Sequence, residues 1–100
     1  MRIEFERSGG FMGLHQSLKL DTTSLELEEA EELTRMVDKA NFFELPEEIQ
    51  SNSEVADHFQ YRLTIERSEI SHTVILSDST TPEELQPLLQ HLNLMVRTRR

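Results

Sequence analysis

The chain of 100 residues contains no cysteine. Disulfide staples, thiolate metal sites and thiol nucleophiles are therefore excluded, and a reducing compartment suits the composition. No apolar run approaches the roughly 20 residues of a membrane-spanning helix, so no membrane partner is expected. The opening stretch MRIEFERSGG enters a strand pattern at once and lacks the apolar segment of a secretory signal. The expected location is cytoplasmic. Positive charge is scarce as well: 10 Lys and Arg stand against 19 Asp and Glu, a formal net charge of −9. Such a chain repels nucleic acid. The short basic tail of Arg97, Arg99 and Arg100 reads as cations set against the negative end of a helix dipole. Glycine is rarest in distribution: all three, Gly9, Gly10 and Gly13, fall in one short stretch.

What is present suits a globular fold. Hydrophobic residues make up 36% and charged residues 29%, too apolar for a disordered chain. The length fits one domain over residues 1–100.

Arg2–Arg7 alternates, with Ile3 and Phe5 on one face and Arg2, Glu4 and Glu6 on the other. Leu14–Leu20 alternates again, with Leu14, Leu18 and Leu20 opposite His15, Ser17 and Lys19. These are half-buried strands joined through the glycine loop as an antiparallel hairpin. Thr23 and Glu26 have capping-box spacing before a helix predicted over 25–40. Its apolar stripe is Ala30, Leu33, Val37 and Ala40, flanked by Leu27 and Met36. Asn41 and Pro46 end the helical stretch, and Phe42 and Phe43 plug the end of a core. The polar segment Glu47–Ala56 is read as irregular.

Phe59, Tyr61, Leu63 and Ile65 alternate with polar residues, and Ile70, Val74 and Leu76 follow after a short turn at Arg67-Ser68-Glu69. If opposed residues have an odd numerical sum, both apolar sets meet on one face. His72 on that face and Ile75 on the other are the two mismatches. Thr81-Pro82-Glu83-Glu84 reads as a capped start for a helix over about 82–97, with Leu85, Leu88, Leu89, Leu92, Met95 and Val96 as its apolar stripe. Pro87 falls near the first turn. The fold class is α+β, in the order ββαββα, with a four-stranded antiparallel sheet and two helices packed on one face.

Chemistry-bearing patterns are sparse. His15, His58, His72 and His91 lack a His or Cys at a local metal-ligand spacing, and no His-Glu-x-x-His motif occurs. Ser8-Gly9-Gly10 is not a nucleophile elbow. A phosphate-cradling glycine loop leads into a helix, whereas this one leads into a strand. The glutamates between Glu26 and Glu32 spread over a solvated helix face. No catalytic residue, metal site or cofactor is predicted. The loop itself leaves two readings open. Phe11 folds back onto the sheet end, or Phe11 and Met12 form an apolar anchor for a protein partner, on a backbone that glycine lets approach closely.

The stretches MRIEFERSGGFMG, ANFFELP at 40–46, DHFQYRLTIE at 57–66, SHTVILSD at 71–78 and PEELQPLLQHL at 82–92 together resemble the emfourin family. These are small bacterial protein inhibitors of thermolysin-like zinc metallopeptidases such as protealysin. The resemblance covers nearly the whole chain in the same order. It implies a non-enzymatic inhibitor domain whose protein partner is a thermolysin-like metallopeptidase; the free chain is expected to be a monomer. It makes Ser8, Gly9, Gly10, Phe11 and Met12 the peptidase-binding loop, with Phe11 or Met12 in the pocket just beyond the cleaved bond. The zinc would be the target's own. A second contact falls at Ser77, Asp78, Ser79 and Thr80, continuing to Thr81, or in the 47–56 connection. The alternative is a regulatory or adaptor module that binds another protein through the same loop or the open sheet face.

Overall fold

The computed structural model describes residues 1–9, 14–49, 59–77 and 81–98. Strands β1 (Arg2–Gly9) and β2 (Leu14–Asp21) precede helix α1 (Leu27–Lys39); strands β3 (Phe59–Arg67) and β4 (Ile70–Ser77) precede helix α2 (Gln86–Thr98). The four strands form one antiparallel sheet in the order β2-β1-β3-β4. β1 and β3 are therefore the inner strands, and the order is symmetric about the seam between them. Each half supplies an inner strand, an outer strand and a helix, which is the duplicated ββα plan legible in the element order.

Alternation along the strands determines the faces. Tyr61 opposes Leu76, Leu63 opposes Val74 and Ile65 opposes His72, the odd-sum register that brings both apolar sets together. Ile3 and Phe5 extend the same face across the seam to Ile65 and Leu63, and on to Leu20 and Leu18 of β2. Against this face pack Leu33 and Val37 of α1 and Leu88, Leu89, Leu92, Met95 and Val96 of α2, in one continuous core. Burial of each such side chain contributes about 1.5–3 kcal/mol.

Helix α1 carries Glu28 and Glu29 in its first turn and Lys39 in its last, in accord with the helix dipole. It stops because Asn41 turns into the left-handed region, at φ 49° and ψ 46°. Phe42, fully buried, then closes the end of the core and meets Phe43 edge-on. His72 fits the apolar face for a specific reason. Its Nε2–H donates to Leu45 O at 2.7 Å, and its ring stands edge-on to Phe42. The residue that interrupts the pattern thus ties β4 to the connection after α1.

Several local expectations are corrected. The Thr23–Glu26 capping box does not form. Asp21 accepts from Thr23 N–H at 3.0 Å and from its hydroxyl at 2.8 Å, which starts a 3₁₀ turn at Thr22–Ser24. Helix α1 begins a turn later, behind Glu26, which makes no side-chain cap. A carboxylate two residues before an amide wins this local competition. Leu27 then lies outside the stripe and is exposed. Thr81 does not cap either: its hydroxyl donates to Ser77 O at 2.9 Å. A 3₁₀ turn at Glu83–Leu85 precedes α2, and Pro87 stands second in that helix, where its missing N–H has no intrahelical partner. The 47–56 connection is not irregular at its start. Ile75 N–H donates to Glu47 O and Ile49 N–H donates to Ile75 O, both at 2.8 Å, as a short parallel bridge on the outer edge of β4.

Ser68 and Glu69 form the β3–β4 turn with φ 49° and 70°. Both positive angles mark a tight hairpin turn built without glycine. Among the described residues, no helix is long and apolar enough to cross a membrane.

Candidate functional site

The strand register gathers the candidate segments at one end of the sheet. Gly9 ends β1 opposite Leu14 on one side and Phe59 on the other. One step inward, His15, Ser8, Gln60 and Ser77 make a single row across all four strands, on the face away from the helices. The base of the glycine hairpin, the start of β3 and the end of β4 therefore share this end. Of the sequence candidates, Ser8, Gly9 and Ser77 lie here. Gly10, Phe11, Met12, Asp78, Ser79 and Thr80 lie outside the described residues, as does the connection from Gln50 to His58.

Gly9 has φ 104°, a value that a side chain opposes. The glycine is required where the chain leaves the ladder. The stem beneath it is braced on the helix side of the sheet. Arg7 lays its guanidinium carbon 3.8 Å from the centroid of the Phe59 ring, and its Nη1 donates to Gln16 Oε1 at a long 3.4 Å. Its Nε is buried without a hydrogen-bond partner among the described residues. The aromatic face is therefore the main compensation for that desolvated charge, a contact of about 0.5–2 kcal/mol. Deeper in the sheet, Phe5 stacks on Tyr61 at 5.6 Å. Hairpin and second half are thus joined by ladder, cation–π contact and ring stack together. Strand alternation carries the signal for Arg7, since position 7 continues the face of Ile3 and Phe5; its charge disguised it as a solvent residue.

Among the described residues the arrangement offers no catalytic constellation. Ser8 and His15 oppose each other without a hydrogen bond between them, so the hydroxyl has no engaged base. Among the described residues no group of three or more His, Asp or Glu could hold a metal ion. A depression of about 160 Å³ lined by Tyr61, Thr81, Gln86, Leu89, Gln90 and Asn93 falls short of the ~300 Å³ of ordinary ligand pockets.

Charge on the open sheet face is nearly balanced. Glu4 opposes Lys19, Glu6 opposes Arg62, and Arg2 lies between Asp21 and Glu66. The acidic excess resides elsewhere, notably in Glu28, Glu29, Glu31 and Glu32 of α1. Asp21 is held below the usual carboxylate range, first by the Thr23 backbone amide and then by the Thr23 hydroxyl.

The family model for Emfourin matches residues 5–93, from the first inner strand to the last turns of α2. The chain belongs to the Emfourin family. No curated protein and no solved structure matches it. The matched Emfourin span contains the glycine loop, the Arg7–Phe59 brace and Ser77, so the sheet end described above lies inside the family's shared region. Emfourin membership suggests a metallopeptidase inhibitor acting on a protein partner, and not an enzyme.

Proposed function

We propose that the chain inhibits a thermolysin-like zinc metallopeptidase by seating the Ser8–Met12 segment in the active-site cleft. Family membership supports the class of partner. The observation that carries the mode of binding is the bracing of the hairpin stem: Gly9 is paired on both sides, and Arg7 is clamped on Phe59. A loop mounted on an ordered stem loses little conformational freedom on binding. Phe11 or Met12 then fills the apolar pocket beyond the scissile position. The carbonyl of Gly9 or Gly10, or Ser8 Oγ, approaches the zinc of the target. The inhibitor acts as one domain and needs no metal of its own.

Ser77 shares a row with Ser8 through Gln60. This supports Ser77–Thr80 as the second contact, which a standard interface of about 800 Å² per partner requires.

The test is a titration into a thermolysin-like peptidase with a short peptide substrate. Stoichiometric loss of activity is expected. Phe11→Ala is expected to weaken inhibition at least about tenfold, or 1.4 kcal/mol, with an unchanged Tm. Full inhibition by Phe11→Ala sinks the anchor. No inhibition by the natural chain leaves the adaptor reading, with binding through the same loop or the open sheet face.

A further inference from the structure

We infer that the outer edge of β2 is a self-association surface, on which a second copy of this chain pairs antiparallel and extends the sheet. The inference is independent of the inhibitor reading. The two outer strands are treated differently. The edge of β4 is occupied at Ile75 by Glu47 and Ile49. β2 runs from Leu14 to Asp21, and among the described residues β1 is the strand paired with it. A long edge strand with an open ladder is a template for another strand.

The outward groups can be assigned. Thr22 N–H donates to Met1 O at 2.9 Å, continuing the β1–β2 register. Hydrogen-bonded positions alternate by two along an antiparallel pair. The even-numbered residues of β2 therefore bond to β1, while His15, Ser17, Lys19 and Asp21 turn their N–H and C=O groups outward. These same residues lie in the rows of the open sheet face.

Ladder length and side-chain chemistry together then select one register, since Leu20 against Leu20 matches Lys19 with Asp21 but engages only the last residues of β2. A two-fold axis perpendicular to the sheet keeps the helices of both copies on one face, so outward residues must oppose outward residues. Pairing Ser17 with Ser17 sets His15 against Lys19, two groups with nothing to exchange. Pairing Lys19 with itself opposes two like charges. Pairing Leu18 with Leu18 sets His15 against Asp21 and Ser17 against Lys19, each twice. The imidazole N–H then donates to the Asp21 carboxylate, whose ionised form the Thr23 contacts favour. On the helix face, buried Leu18 stands at the axis. The two loop-bearing ends lie at opposite ends of the joined edge, so pairing leaves both available.

A single strand junction buries less than a standard interface, so the dimer is weak, with Kd on the order of 100 µM. The monomeric state expected of the free chain holds in dilute solution.

The test is sedimentation equilibrium of the full chain from about 10 to about 500 µM, spanning that Kd. A rise toward the dimer mass is expected. Ser17→Pro removes an outward N–H while sparing the β1 ladder, and is expected to stay monomeric with an unchanged circular dichroism spectrum. His15→Asp and Asp21→Lys are each expected to be monomeric alone: the first sets two carboxylates against each other at both contacts, and the second removes the carboxylate that accepts from His15. Mixed, they are expected to associate, since the introduced carboxylate then meets the introduced ammonium at one contact and Asp21 meets His15 at the other. A natural chain that stays monomeric throughout overturns the inference, as does a Ser17→Pro dimer. A mixture that fails to associate while the natural chain dimerises overturns the assigned register.

Discussion

The brace of Arg7 on Phe59 invites a double-mutant cycle. Arg7→Met keeps the apolar stem and removes the charge; Phe59→Leu keeps an apolar side chain and removes the π face. The guanidinium carbon is 3.8 Å from the ring centroid, and Nε is buried with no hydrogen-bond partner among the described residues. Water competes little for the contact, which places its coupling in the upper part of the usual range, about 1–2 kcal/mol. Arg7→Met alone is expected to cost less than this coupling, because the substitution also relieves the desolvated Nε. For a chain of this size the urea m-value is about 1 kcal/mol/M. The difference between the summed single effects and the double effect should therefore appear as about 1–2 M in the urea midpoint. Circular dichroism follows unfolding of the four proteins. Additivity within about 0.3 kcal/mol would refute the brace, leaving the two residues as neighbours without energetic coupling.

Three further outcomes are expected. Gly9→Ala, forced to φ near 104°, should destabilise by about 1–2 kcal/mol and lower Tm by about 4–16 °C, read by calorimetry; an unchanged Tm would show that the chain leaves β1 without needing glycine. Ser68→Asn with Glu69→Gly, at φ 49° and 70°, should raise stability by about 1 kcal/mol in urea while leaving inhibition untouched, since that turn is at the opposite end of the sheet. Asp21→Ala should lower Tm at neutral pH and lose this effect in acid. The folded carboxyl titrates below its unfolded value of about 3.9, so its contribution is complete above that value and vanishes as pH falls through the lowered one. Melting curves at pH 7 and pH 2.5 compare the two, and an equal deficit at both would exclude the carboxylate as the cause.

The sheet was legible because alternation has no competitor in these strands. Tyr61, Leu63 and Ile65 could meet Val74 and Leu76 on one face in only one parity of register, and the structure has it. Helix starts were less legible because four oxygen-bearing side chains in a row, Asp21 to Ser24, offer competing local bonds. Asp21, with a full charge, takes Thr23 N–H and displaces the expected cap. Strand order was not legible, since either outer or inner placement satisfies the same alternation. At the site, the positive φ of Gly9 follows from residue type. Arg7 was overlooked because charge usually marks a solvent face, and its cover, Phe59, is far away in sequence. His72 was visible as a mismatch, but its acceptor, Leu45 O, belongs to a segment that composition describes only as a connection.

The symmetric strand order has a consequence for how the chain is divided. Everything on the hairpin side, from β1 through α1, belongs to the first half of the sequence; the ring that steadies the hairpin stem belongs to the second. The halves meet along the ladder in which Arg2 opposes Glu66 and Gly9 opposes Phe59, and through the core that both helices share. A cut in the connection between them would leave two ββα fragments, each with a local hairpin and a helix, whose reunion rebuilds that ladder and the shared core. The stem would be braced when the fragments join and unbraced when they part. Such a split chain would turn peptidase inhibition into a readout of strand docking.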